Sequence, residues 1–145
     1  MIGSATLQPL AKRARQEASV VDIAREVILR VLSAGHPPIE TVAETVNTSV
    51  RTLQRRLAAS GRSYKKLVDE VRLEGARQAL AASDAPLKAI AFDLGFAEQA
   101  SFTRAFRRWT GQAPSEYRKR QRRMDVETRS LVVDLRSARL RNSMS

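Results

Sequence analysis

The feature that most narrows what this chain can fold into is a pattern that occurs twice. Val42-Ala43-x-x-x-Asn47, followed by Ser49, Leu53 and Leu57, recurs about 48 residues later as Ile90-Ala91-x-x-x-Gly95, followed by Phe102 and Phe106. The second copy carries one extra residue in its turn region. In each copy a small Ala lies midway along a short apolar stripe, four residues before a position that tolerates positive φ. Glycine does so because it has no Cβ, and asparagine accepts the left-handed region better than most residues. A second amphipathic stripe follows each turn. The Ala lets two helices cross closely and the left-handed residue turns the chain sharply, which is the logic of a helix-turn-helix. One such match is weak, because many paired helices look similar. Two in tandem, each with a basic outward face on its second helix, are far more restrictive.

The rest of the chain has helical periodicity and no strand-like alternation, so the expected fold is all-α. Val20, Ile23, Ala24, Val27, Ile28, Val31 and Leu32 line one face of a helix that ends at Gly35, with Pro37-Pro38 barring its continuation. Ile39, Val42, Ala43 and Val46 mark a short helix, and Ser49 is a good N-cap for the next, whose buried stripe is Val50, Leu53 and Leu57. Gly61 ends that helix, and Ser63 can cap a long one running to about Ala82. Pro86 opens a helix striped by Leu87, Ile90, Ala91 and Leu94. Phe102, Ala105, Phe106 and Trp109 then share the inner face of a helix stopping at Gly111, and Pro114 starts a short basic helix through Arg118 toward Arg123. These signals predict two helix-turn-helix units at 39–60 and 87–110, joined by a linker helix over 63–82 within a domain spanning 20–118. Residues 1–19 form a run-in. Residues 119–145 read as a basic, disordered tail, with a short helix over Leu131–Leu135 as the alternative.

Charge points to the partner. Among 145 residues there are 26 Lys+Arg against 15 Asp+Glu, a formal net charge of +11. Residues 97–123 hold eight basic and two acidic side chains, more than half of that excess. Such a balance in a short chain implies a polyanion, nucleic acid before anionic membrane. The absence of Cys excludes disulfides, thiolate zinc sites and cysteine nucleophiles, and a single His argues against His-based metal sites and triads. No Gly-rich phosphate loop, nucleophile elbow or metal-ligand spacing is present, so neither an enzyme nor a cofactor or small-molecule ligand is expected. No apolar run is long enough to span a bilayer, and the first residues lack a signal-peptide pattern, so the expected location is the cytoplasm without membrane contact.

On the first candidate recognition helix, Arg51, Gln54 and Arg55 cluster opposite Val50, Leu53 and Leu57, with Thr52 and Arg56 flanking them. Arg and Gln read guanine and adenine edges through paired hydrogen bonds of fixed geometry. An ordinary solvated face is the competing reading; position on the second helix of the motif favours base contact. On the second copy, Gln99 lies at the helix start, and Ala100, Ser101 and Arg104 face outward with Thr103 beside them. The small Ala100 and Ser101 imply thinner readout. Arg107, Arg108, Arg118, Lys119 and Arg120 look like phosphate contacts, which add affinity without sequence information. His36, Asp84 and Asp93 read as ordinary surface, capping and charge-balancing residues.

The residues from Ala43 to Leu57 resemble the first helix-turn-helix of the AraC/XylS transcription regulators, and Arg72-Leu73-Glu74-Gly75-Ala76-Arg77 resembles that family's linker helix. Ile90 to Phe96, Ser101 to Gly111 and Pro114 to Arg118 resemble its second motif. The resemblance runs in register over about residues 20–118. It implies seven helices, two subdomains, promoter binding in bacteria and, for gene activation, contact with RNA polymerase. Ser49, Arg56, Ser63 and Thr103 complete the expected phosphate-facing set. Asn47 stands where the family usually has Gly, Leu57 where Phe is common, and Ala100 where Ser is frequent. The family's full-length members carry a further domain for effector binding or dimerisation, so the chain reads as a piece of a longer regulator or a shortened product. With no ligand pocket or dimerisation coiled coil legible, a monomer is expected.

Three rivals remain. A DNA-repair enzyme built on this module needs a methyl-accepting cysteine, and there is none. A protein-interaction module, such as an antiactivator that kept the fold, need not retain Arg51, Gln54, Arg55 and Arg104. Nonspecific nucleoid or membrane binding predicts no discrimination among DNA sequences.

Overall fold

The computed structural model describes residues 20–144, and the expected run-in at 1–19 lies outside them. Among the described residues seven α-helices follow one another: α1 (20–31), α2 (Ile39–Thr45), α3 (Val50–Ala59), α4 (Tyr64–Ala82), α5 (Leu87–Asp93), α6 (Gln99–Thr110) and α7 (Pro114–Met144). A 3-10 turn, Leu32–Ala34, extends α1 to Gly35. The described residues contain no strand, as the periodicity requires.

One apolar core joins these helices. Ala24, Ile28 and Leu32 meet Val42 and Ala43 of α2, Leu53 and Leu57 of α3, Leu67 and Val68 of α4, and Phe102 and Phe106 of α6. In α1, Val21 takes the inward place and Ile23, expected inside, is 46% exposed. At 100° per residue, the set 21, 24, 28 holds one face, and residue 23 falls well outside it.

The repeat is carried to the level of single hydrogen bonds. Pro38 and Pro86 precede α2 and α5 in the same extended conformation. Asn47 N donates to Glu44 O and Thr48 N to Ala43 O, at 3.0 and 2.9 Å. Gly95 N donates to Phe92 O and Phe96 N to Ala91 O, at the same two distances. Asn47 at φ 61° and Gly95 at φ 84° are the left-handed residues that make the turns. These bonds satisfy carbonyls that the ends of α2 and α5 would leave open.

The copies differ in what surrounds the second turn. A Cβ on Gly95 would lie 2.3 Å from Leu32 O and 3.2 Å from Gly35 Cα, so this turn seats directly on the segment after α1. Arg72 of α4 reaches the same place. Its Nε donates to Leu94 O at 3.0 Å, an Nη donates to Gly95 O at 3.2 Å, and its guanidinium lies 4.4 Å from the Phe96 ring centre. Burial pulls the Arg72 guanidinium below its usual pKa, with Asp69 opposing, but Arg remains charged. Arg72→Met is therefore expected to cost about 2 kcal/mol, read as a lower urea midpoint, because two inward carbonyls lose a charged donor. Arg72→Lys should recover only part of this, since one ammonium cannot reproduce the planar fork.

The α1 end is fixed from the other side by Tyr64, whose hydroxyl donates to Pro37 O at 2.7 Å. Burial, with Glu40 nearby, pushes this phenol up to about 12, so it stays a donor at neutral pH. Arg25 bridges α1 to Glu70 and Glu74 of α4, and Glu70 also pairs with Arg62.

The expectation of a disordered tail is corrected: α7 runs unbroken to Met144. After Pro114 no residue is Gly or Pro, and the segment is rich in Arg and Leu, which favour helix. Acid–base pairs one turn apart, Arg123 with Glu127 and Asp125 with Arg129, fit the same geometry.

Candidate nucleic-acid interface

Each second helix presents its charge because its other face is buried. In α3, Leu53 and Leu57 are fully buried, leaving Arg51, Gln54 and Arg55 exposed on the far side, with Thr52 and Arg56 half-buried at the margins. The start of α3 is held by Ser49, whose Oγ accepts from Thr52 N at 3.1 Å and donates to Thr52 Oγ1 at 2.8 Å. That cap fixes the helix end from which base-reading side chains would project, and it leaves the Thr52 hydroxyl hydrogen available.

In α6, Phe102 and Phe106 are buried and Gln99, Ala100, Arg104, Arg107 and Arg108 are exposed. Arg104 makes a long contact, 3.4 Å, to Ser101 Oγ, so these two share one patch; Ser101 and Thr103 are half-buried. Trp109 leans on Phe96, with ring centres 6.4 Å apart, at the edge of the core. It is not presented as a stacking platform. The Gly111 left-handed turn ends α6 by donating its N–H to Arg107 O at 2.7 Å.

Ser63, at the start of α4, accepts from Lys66 N at 3.2 Å. Lys65 and Lys66 are exposed in that first turn, where basic side chains beside the positive end of a helix suit an anion. The sequence-based set omits them, although two lysines shortly after a capping Ser are signal enough.

Arg118 does not belong to the phosphate-facing set. Its Nε donates to Leu80 O at 3.2 Å and an Nη to Ala85 O at 2.8 Å, tying α7 to the end of α4. Arg122 pairs with Asp84 on the same seam. The end of α4 and the loop before α5 offer open carbonyls, and an Arg in the opening turns of α7 is the donor within reach. Among the described residues, no group of three His, Asp or Glu side chains is placed to hold a metal, and no helix is long and apolar enough to cross a membrane.

Residues 42–120 match the family model described as a helix-turn-helix domain, more than half of the chain. The chain is 35% identical over 120 residues to the ornithine utilization regulator of Pseudomonas aeruginosa, covering 79% of this chain and 35% of that protein. It thus spans about a third of the length of the curated relatives it matches. Among solved structures, the C-terminal domain of AraT, a response regulator from Geobacillus stearothermophilus, aligns with a TM-score of 0.60 and 32% identity, covering 69% of this chain and 84% of that one. The DNA-binding domain of AdpA, a global transcriptional factor solved with a target DNA, aligns with a TM-score of 0.60 and 28% identity, over 74% and 94% of the two chains. These relatives are regulators rather than enzymes, and with the duplicated turn, the buried linker arginine and the two basic helices they identify the chain as a member of the AraC-type helix-turn-helix family.

Proposed function

We propose that this chain reads double-stranded promoter DNA sequence-specifically, with α3 and α6 entering successive major grooves. The observation that carries this reading is the hydrogen-bond-level equivalence of the two turns, each presenting an amphipathic helix with exposed Arg and Gln. Arg51, Thr52, Gln54 and Arg55 contact base edges from α3, and Gln99, Ala100, Ser101 and Arg104 from α6. Ser49, Arg56, Ser63, Thr103, Arg107 and Arg108 hold phosphates, joined by Lys65 and Lys66. Helix α4 has 19 residues, about 28 Å at 1.5 Å per residue, close to the ~34 Å between successive major grooves on one face. One chain carries both heads, so a single copy is the reading unit. RNA polymerase is the second partner in this reading, with no effector bound by these residues.

The test separates reading from charge. A preferred site is first selected from random DNA. Arg55→Ala should then lose about 1–3 kcal/mol on that site and relax its base preference at one position. Arg108→Ala should weaken all sequences about equally and lower the salt slope by about one phosphate's worth. Uniform loss in both variants removes Arg55 as a base reader. Failure to enrich any sequence favours the protein-interaction alternative.

A further inference from the structure

The stripe that seats α7 on the body does not stop where the body ends. Tyr117 packs edge-on against Phe106, with ring centres 5.4 Å apart, and Gln121 is half-buried one turn later. Met124, Thr128, Leu131, Leu135, Ala138 and Asn142 continue the same alternation of three- and four-residue steps. Residues so spaced stay on one face of a helix. Met124, Leu131 and Leu135 are 50%, 59% and 62% exposed, so an apolar seam lies open along the projecting half of α7.

The charges beside the seam say what covers it. Taking Met124, Leu131 and Ala138 as one set of knobs and Thr128, Leu135 and Asn142 as the other, the flanking residues are Arg120, Glu127 and Asp134 on one side and Asp125, Val132 and Arg139 on the other. In a parallel pair of identical helices, each residue of the first flank meets the partner's second flank five residues on. That sets Arg120 against Asp125, Glu127 against Val132 and Asp134 against Arg139, with no like charges opposed. An antiparallel pair that stacks Leu131 on Leu135 sets Asp134 against its own copy.

We propose that the projecting half of α7 is a self-association site, pairing with the same segment of a second copy as a parallel two-stranded coiled coil. This departs from the expected monomer, which rests on no dimerisation coiled coil being legible in the sequence. The seam is short, and Thr128 and Asn142 weaken it while favouring one register, so the dimer is a micromolar one.

Sedimentation velocity of the whole chain across the micromolar range should show a monomer converting to a dimer. Leu131→Lys with Leu135→Lys should abolish that conversion without changing the thermal midpoint, since both side chains are exposed in the monomer. Val133→Lys, on the opposite face and equally exposed, should leave it intact. The chain has no Cys, so Ala138→Cys gives a clean orientation readout: a parallel pair places the two thiols side by side and oxidises to a covalent dimer. An antiparallel pair holds them about 15 Å apart. A monomer at every concentration, equal loss in Val133→Lys, or no disulfide from Ala138→Cys overturns the proposal.

Discussion

Gly95→Ala is expected to lower stability by about 4 kcal/mol and the thermal midpoint by about 15 °C. Two effects combine at this position. At φ 84° an L-residue is strained by roughly 1–2 kcal/mol. The added methyl would also lie 2.3 Å from Leu32 O, a backbone atom that cannot rotate away. Relief requires the second turn to lift off the end of α1, which also lengthens the Arg72 bonds to Leu94 O and Gly95 O. Asn47→Gly is the control, because the same turn geometry without that neighbour should gain about 0.5 kcal/mol from the relaxed φ. Thermal melts of the two variants check both; a Gly95→Ala midpoint within a few degrees of wild type would mean the junction is soft.

A five-base-pair insertion between the two half-sites should weaken binding about a hundredfold or more. The inserted half-turn carries the second half-site to the far face of the duplex, and one chain bridged by α4 cannot reach around. Each head then binds alone, without the advantage of linkage. A ten-base-pair insertion restores the face but roughly doubles the distance, and a helix of 19 residues cannot span it. The salt dependence should flatten in both cases, by about 0.9 in logarithmic slope for every phosphate no longer neutralised. Footprints that keep full strength after the five-base-pair insertion would assign all reading to one head. Given the small Ala100 and Ser101 in α6, that head would be α3 with Arg51, Gln54 and Arg55.

The helices and their inner faces are legible in the sequence because periodicity and turn chemistry are local. Ser49, Ser63, Gly61, Gly95 and Gly111 mark helix ends by the rules of caps and left-handed turns, and Leu53, Leu57, Phe102 and Phe106 mark the buried faces. What is not legible depends on distant partners. Arg118 reads as one more cation in a basic run, and only the fold brings it to the carbonyls of Leu80 and Ala85. Arg72 is marked in the sequence only by the linker-helix resemblance, yet it is buried against a turn more than twenty residues away. Ile23 shows that a broad apolar stripe does not decide its own centre. The tail reads as disordered because Val126, Val133 and Leu140 lie off the apolar seam and blur the amphipathic contrast that announces a packed helix. The proposed reading face is a pattern of exposed residues, so its chemistry is visible, whereas the alignment of one head with the other is not.

The seating of Gly95 on Leu32 and Gly35 also limits how such a domain can be recombined. If the linker were the sole connection, a crossover within α4 would join the front head of one family member to the rear head of another and yield a working hybrid. Here the rear turn is shaped to a surface supplied by residues 32–35, and Arg72 closes the same junction from the linker. A hybrid must therefore inherit three separated pieces from one parent: the end of α1, the middle of α4 and the turn after α5. Heads exchanged without them would arrive folded locally and mismatched at this junction, so under the proposed function substitution along α3 and α6 alters reading with less disturbance than shuffling whole halves.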